Sequence, residues 1–275
     1  MFSIIKSGMA TAKHELGVVS NNVANASSHG FKKSVTSFAD IASASHRASL
    51  PSTAAGLGAF VEGTRAVHSQ SAIVSTDKKT DLALSGDGYF MVRNPNRVGV
   101  NEGSIEFTRN GSFAVDADGF LTTPDGANVL GYPLVDNGFA AVVDNPNAVA
   151  PIQIPFARDG AKMSSLDINA DGQISAIYGN AEPVPISTIA LGTFSNPGGL
   201  RQVGNSRYMV SGQEGALLLG APSFEGFGSL QVGGLEASNV DITDELTAMI
   251  KAQQQFNGAA RLLQSSSEMI EKLTR

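Results

Sequence analysis

The chain has no cysteine and no tryptophan in its 275 residues. Without cysteine there are no disulfides, no thiolate metal sites and no cysteine nucleophile. Charge is also sparse. Asp, Glu, Lys and Arg make up 16% of the residues, against about 25% in an ordinary globular chain. The 19 Lys and Arg are outnumbered by 25 Asp and Glu, for a formal charge of −6. Surfaces that bind nucleic acid are net basic, so that function class is set aside. No apolar run approaches the ~20 residues of a membrane span, and no membrane insertion is expected. The first residues carry one short apolar patch broken by Lys6. A secretory signal needs an uninterrupted apolar core, so export without a Sec signal is the expectation. What the chain has in quantity is glycine, 30 residues, with 11 prolines, and such a composition implies many turns.

The two ends read as helices. Ile5, Met9, Ala12, Leu16, Val19 and Val23 are spaced 4, 3, 4, 3, 4, a heptad seam. Asn25, the following serines and Gly30 supply a stop, because Asn and Gly tolerate the left-handed backbone that closes helices. At the other end Ile242, Leu246, Met249, Gln253, Phe256, Ala260, Leu263, Ser267 and Ile270 keep the same alternation. Ser238 followed by Asp241 fits a capping box, and Asp241, Asp244 and Glu245 load the first turn with the charge that the helix dipole favours. Lys272 and Arg275 sit at the opposite end, as that dipole prefers.

Between the ends the period changes to two. Short apolar runs at 83–85, 89–92, 112–115, 152–156, 165–168 and 186–194 each end in Gly, Asn-Pro or Asp-Gly. Asp-Gly between alternating runs is a strong hairpin signal. No strand–helix alternation appears, which excludes a doubly wound or barrel enzyme. The expected architecture is a mainly β body with N- and C-terminal α-helices that pair, coiled-coil-like, as an assembly domain. Residues 1–30 with 239–275 would form the helical part, 31–80 a linker or extended segment with a flexible stretch at 41–58, and 81–238 the β-rich body. Seam residues Ile5, Met9, Leu16, Val23, Leu246, Met249, Phe256, Leu263 and Ile270 are the candidate assembly interface. From periodicity alone these seams could pack on each other, on the β body or on another subunit.

Catalytic and cofactor motifs do not accumulate. Asp167, Asn169, Asp171, Gly172 and Ile174 match the first half of an EF-hand loop. Its twelfth position needs a bidentate Glu, and Tyr178 stands there. A hairpin turn is the better reading, and the same holds for Asp116 to Gly119. Gly86-Asp87-Gly88 lacks the third glycine and the helix of a dinucleotide site, and reads as a tight turn. His14, His29, His46 and His68 are scattered and read as lone surface residues. Neither a metal nor a cofactor is expected, nor an enzyme. A β-rich binding module is the other class.

Asn21, Asn22, Ala24, Asn25, then Gly30, Phe31 and Lys32 resemble the N-terminal signature of bacterial flagellar rod and hook proteins. Residues 81–92, 107–134 and 233–273 resemble three further motifs of that family, in the family's order. The resemblance implies a structural subunit of the bacterial flagellum, polymerising with itself into a helical tube that transmits torque. It implies contacts with adjacent rod, hook and junction proteins, and passage through the flagellar type III export apparatus, with chain ends mobile in the free monomer. Ser37-Phe38-Ala39-Asp40, Gly131-Tyr132-Pro133 and residues 193–200 resemble the hook protein, so a hook subunit is the first expectation. The alternative is a basal-body rod protein, distal or proximal. Hook proteins commonly carry a further outer domain, and this length leaves room for a single β body. Distal-rod proteins also carry an extra stretch near 41–58.

Overall fold

The computed structural model describes residues 2–42, 56–95, 104–135, 139–140, 148–158, 160–224 and 226–274. Most of the expected flexible stretch at 41–58, with His46, lies outside them, as does Arg275. The fold is mainly β with one helix at each end: α1, Phe2–Ala24, and α2, Ile242–Thr274. The chain divides into two compact units. A helical unit comprises Met1–Ala26, Lys33–Val67 and Val240–Arg275, and a β-rich unit comprises Ser27–Lys32 and His68–Asn239. No helix among the described residues is long and apolar enough to cross a membrane.

In the helical unit α1 packs along α2 and along a two-stranded antiparallel ribbon, Ser34–Ala42 with Gly56–Ala66. A linker or extended segment is expected over this ribbon, and its two strands pair with each other. Its strands alternate too weakly to announce themselves, and their pairing is broken by register shifts at Ser37/Phe38 and Asp40/Ala42. The cap of α2 also differs from expectation. Asp241, not Ser238, is the N-cap: its Oδ1 accepts the N–H of Thr243 at 2.8 Å and of Asp244 at 3.3 Å. The carbonyl of Ser238 instead accepts the Ser71 hydroxyl at 2.9 Å.

The β-rich unit is antiparallel in every described strand pair that builds its main path, from Ala161–Ile168 through Gln173–Tyr178, Val184–Ile189, Asn128–Val135, Tyr89–Arg93 and Ile105–Thr108 to Arg207–Met209. Its core gathers Leu82, Leu84, Phe90, Leu121, Val129, Ile154, Ile174 and Leu191, all with no exposed surface. The strand expected at 152–156 is not a regular one. It makes an isolated bridge at Gln153 while Ile152 and Ile154 plug the core. The Asp-Gly turns are turns: Asp116 Oδ1 accepts the N–H of Asp118 and of Phe120, and Asn169 Oδ1 accepts that of Gln173. Gly119 and Gly172 supply φ of +82° and +76° there.

Candidate functional site

The helical unit presents the site that the sequence points to. On α1 the expected seam is the packed one. Ala12 and Val19 are buried, and Ile5, Met9, Leu16 and Val23 are half-buried. On α2 the packed seam keeps Met249, Phe256, Ala260 and Leu263 of the expected one, while Glu245, Ala252 and Ser266 replace Leu246, Gln253 and Ser267. Glu245, Ala248, Met249, Ala252, Phe256, Ala259, Ala260, Leu263 and Ser266 are its buried or half-buried positions. Ala252, fully buried, lets the two helices approach closely where a larger side chain would hold them apart. Leu246 is consequently 45% exposed. Ile270 stays in line with the packed seam yet is 48% exposed. The reason is length: α2 has 33 residues and α1 has 23. Asn22 near the end of α1 meets Glu245 near the start of α2, so the pair runs antiparallel and about 15 Å of α2 outruns its partner.

Asn22 ties the unit together. Its amide nitrogen donates to the Ser34 carbonyl at 2.9 Å and to Glu245 Oε2 at 3.1 Å, and its Oδ1 accepts the Ser34 N–H at 2.9 Å. All this happens at 1% exposure, so no shorter or apolar side chain replaces it without stranding partners. Asn25 closes α1, donating to the Asn21 carbonyl at 2.9 Å. Asn21 itself is exposed and lines a groove of about 560 Å³ beside the ribbon, with Ala10, Lys13, His14, Gly17, Val18, Ser34 and Thr64.

The remaining motif residues meet in the β-rich unit. Gly30 adopts φ +64°, and a Cβ there would lie 2.6 Å from the backbone carbon of Arg109, so only glycine fits. Phe31 is buried. Lys32, with no exposed surface, puts Nζ 2.6 Å from Glu236 Oε1 and donates to the Ser69 carbonyl at 2.7 Å. Arg109 reaches Glu236 Oε2 at 3.4 Å, donates to the Gly86 carbonyl at 2.9 Å and lies 5.1 Å over the Tyr89 ring. Lys32, the Ser71 N–H at 2.9 Å and Arg109, from three distant stretches, thus converge on the Glu236 carboxylate. Burial pulls the Lys32 ammonium below the usual lysine range, and Glu236 opposes that pull.

His68 is not the lone surface histidine expected. Its ring sits edge-on to Tyr208 at 4.9 Å and to Tyr89 at 5.7 Å, and neither ring nitrogen finds a hydrogen bond. Burial, reinforced by Lys32 and Arg109, lowers its pKa to about 4. Burial likewise raises both tyrosine hydroxyls. No sequence signal marks this cluster, because its charges are single residues in turns or strands. Among the described residues no three His, Asp or Glu converge as a metal site would require.

Three family descriptions match the chain. "Flagella basal body rod protein" covers residues 5–32, "Flagellar hook protein FlgE/F/G D1 domain" 83–176 and "Flagellar basal body rod FlgEFG protein C-terminal" 231–275. The chain is 34% identical to the flagellar basal-body rod protein FlgG of Bacillus subtilis, over 97% of this chain and 95% of that one. Against FlgG of Borreliella burgdorferi the identity is 30%, over 96% and 93%. The flagellar hook protein FlgE of Caulobacter vibrioides is 27% identical over 71% of this chain, which spans only 37% of that protein.

Proposed function

This chain belongs to the family of bacterial flagellar rod and hook proteins, and from that premise we propose that it is a subunit of the basal-body rod. The family is a structural component of the flagellum and not an enzyme family. One observation carries rod over hook: the alignments to rod relatives run end to end, while the hook relative has most of its length unmatched. The hook-like residues 37–40, 131–133 and 193–200 therefore give way to the rod alternative.

In this reading copies of the chain polymerise into a straight helical tube, meet adjacent axial proteins at its ends, and reach it through the flagellar export apparatus. A head-to-tail interface that does not close produces such an open polymer. The uneven exposure of apolar side chains supports assembly through the helical unit. Of the seventeen large apolar side chains left exposed among the described residues, twelve belong to that unit, including Phe2, Phe38, Phe60, Ile250, Leu262 and Met269. Contiguous exposed apolar surface marks a binding face. The seam residues Ile5, Met9, Leu16, Val23, Leu246, Met249, Phe256, Leu263 and Ile270 fall into two sets. Leu246 and Ile270 would contact neighbours, and the others would hold the helix pair that presents them.

Labelling isolated hook–basal bodies with antibody to residues 68–239 tests the proposal. The label is expected on the straight axial section, after the surrounding rings are stripped. Label along the curved external segment would restore the hook reading. An intact particle without label would end both.

A further inference from the structure

Eight buried side-chain polar atoms among the described residues have no hydrogen-bond partner, and half of them belong to one cluster. They are both ring nitrogens of His68, the Arg109 Nε and the Tyr208 hydroxyl. Tyr208 has no exposed surface and Arg109 is 4% exposed. Unpaired groups are costly in a native interior, which supplies each with a partner from protein, water or an ion. This set has a sign. A neutral imidazole is one donor and one acceptor, a guanidinium Nε only donates, and a phenol has one proton to give. The Lys32 backbone N–H is turned towards the Tyr208 oxygen, which leaves the phenol proton to point elsewhere. Three donors therefore stand against one acceptor. The charges lean the same way. Lys32 and Arg109 are two cations, and among the described residues Glu236 is the one carboxylate that touches them. After burial itself, these two cations are what hold the His68 pKa down, so the potential at its ring is positive.

We propose that the β-rich unit holds a small monovalent anion, of chloride size, against His68, Arg109 and Tyr208. Tyr208 donates its O–H, Arg109 its Nε–H, and His68 the N–H of the ring nitrogen that carries the proton. The rings set the size of the ligand. His68 lies 4.9 Å from Tyr208 and 5.7 Å from Tyr89, and the two tyrosines are 6.2 Å apart, centre to centre. Rings so close favour a single atom at their weakly positive edges over a phosphate or a carboxylate. Lys32, His68 and Glu236 stand at or near the points where the chain passes between its two units, 32/33, 67/68 and 239/240. Occupancy therefore ties down the segments that enter and leave the β-rich unit. Nothing in the site depends on assembly or on the rod reading.

Denaturant unfolding of the full-length monomer, with chloride exchanged for gluconate at constant ionic strength, measures occupancy. Gluconate is too large to enter. A ligand bound only by the folded state with a Kd of ~50 mM should raise the folding constant about tenfold at about 0.5 M chloride. Tyr208→Phe keeps the ring and removes one donor, and should cut that rise to about twofold. Parent and variant responding alike would overturn the site, because the salt effect would then be general. A crystal of the parent grown in sodium bromide gives a reading that needs no variant. Its anomalous map should place bromide within hydrogen-bond reach of Tyr208 and Arg109. A water there, or no density, would overturn the proposal. Bromide bound there while parent and variant unfold alike would mark an adventitious ion only, and the proposal would fail.

Discussion

Seventeen buried side chains close the core of the β-rich unit, and its strands reach it from along the whole of that unit. Among the described residues of the helical unit only Ala12, Val19 and Ala252 are buried apolar residues, and two of the three are alanines. The polar residues divide differently again. Buried charge in the β-rich unit is compensated internally: Glu236 by Lys32 and Arg109, and Arg207 by Glu106 at 2.8 Å and by Asp125. The helical unit keeps most of its apolar surface outside and is held by the buried polar clamp of Asn22 between Ser34 and Glu245. One unit completes its own interior. On the assembly reading the other gains much of its burial from further chains, since a helix pair with so small a core is marginal alone.

The sharpest way to break this contrast is to put a charge in the helix pair. Leu16→Asp or Leu263→Asp places a carboxylate on the half-buried seam, where it has no partner. Assembly into axial structures should be abolished, while the unfolding midpoint of the β-rich unit stays within the range of a remote substitution, about 0.5 kcal/mol. Structures of normal length from either variant would mean that the helices do not carry assembly. A fall in the β-rich midpoint would mean that the two units are not independent in stability.

Glu236→Gln attacks the other side of the comparison. It leaves two buried cations facing a neutral amide, and removal of one partner of a buried pair costs about 3–5 kcal/mol. Denaturant unfolding of the β-rich unit measures it. A loss below about 1 kcal/mol would show that water reaches the cluster and that its charges are not the interior they resemble.

Much of this contrast was legible in the sequence, and the parts that were not share a physical cause. The heptads at both ends and the Asp-Gly turns are local signals, and α1, α2 and the hairpins at Asp116 and Asn169 follow from them. The α2 seam was read one residue off at Leu246, Gln253 and Ser267, because apolar identity is a poor guide where apolar residues also face outward. Leu246 draws the eye, but Ala252 and Glu245 do the packing. Asn22, Gly30 and Lys32 were recognisable as a motif, yet their partners Glu245, Asn110 and Glu236 lie about eighty to more than two hundred positions away. Nothing in a lone Glu or Arg tells a solvated charge from a buried one. His68 failed for the same reason.

His68 supplies a pH test of how dry the β-rich interior is. Its folded pKa is about 4 and its unfolded value is about 6.5. Above pH 6.5 it is neutral in both states and costs nothing. As pH falls from 6.5 towards 4 the unfolded chain takes up a proton that the folded one refuses, so stability falls, by about 3 kcal/mol at the lower end. His68→Phe keeps a ring against Tyr89 and Tyr208 and removes two unpaired nitrogens. The variant should match or exceed the parent in stability at pH 7 and lose less between pH 6.5 and 4. Parallel pH profiles for the two would place the imidazole in contact with solvent.

The smallest expected effect tests whether turn chemistry, and not a bound ion, explains the Asp-Gly sites. Asp116 Oδ1 accepts two backbone N–H groups, from Asp118 at 3.0 Å and Phe120 at 2.7 Å, inside a turn closed by Gly119. Asp116→Ala strands both donors, but the turn is exposed enough for water to replace the carboxylate, so the cost should be about 1 kcal/mol. Asp116→Asn keeps an acceptor oxygen and should cost about half as much. Because the bonds are internal, neither the parent nor the variants should change in stability when calcium is added. A calcium-dependent rise in the parent that Asp116→Asn removes would assign the carboxylate to a cation instead of to its own backbone.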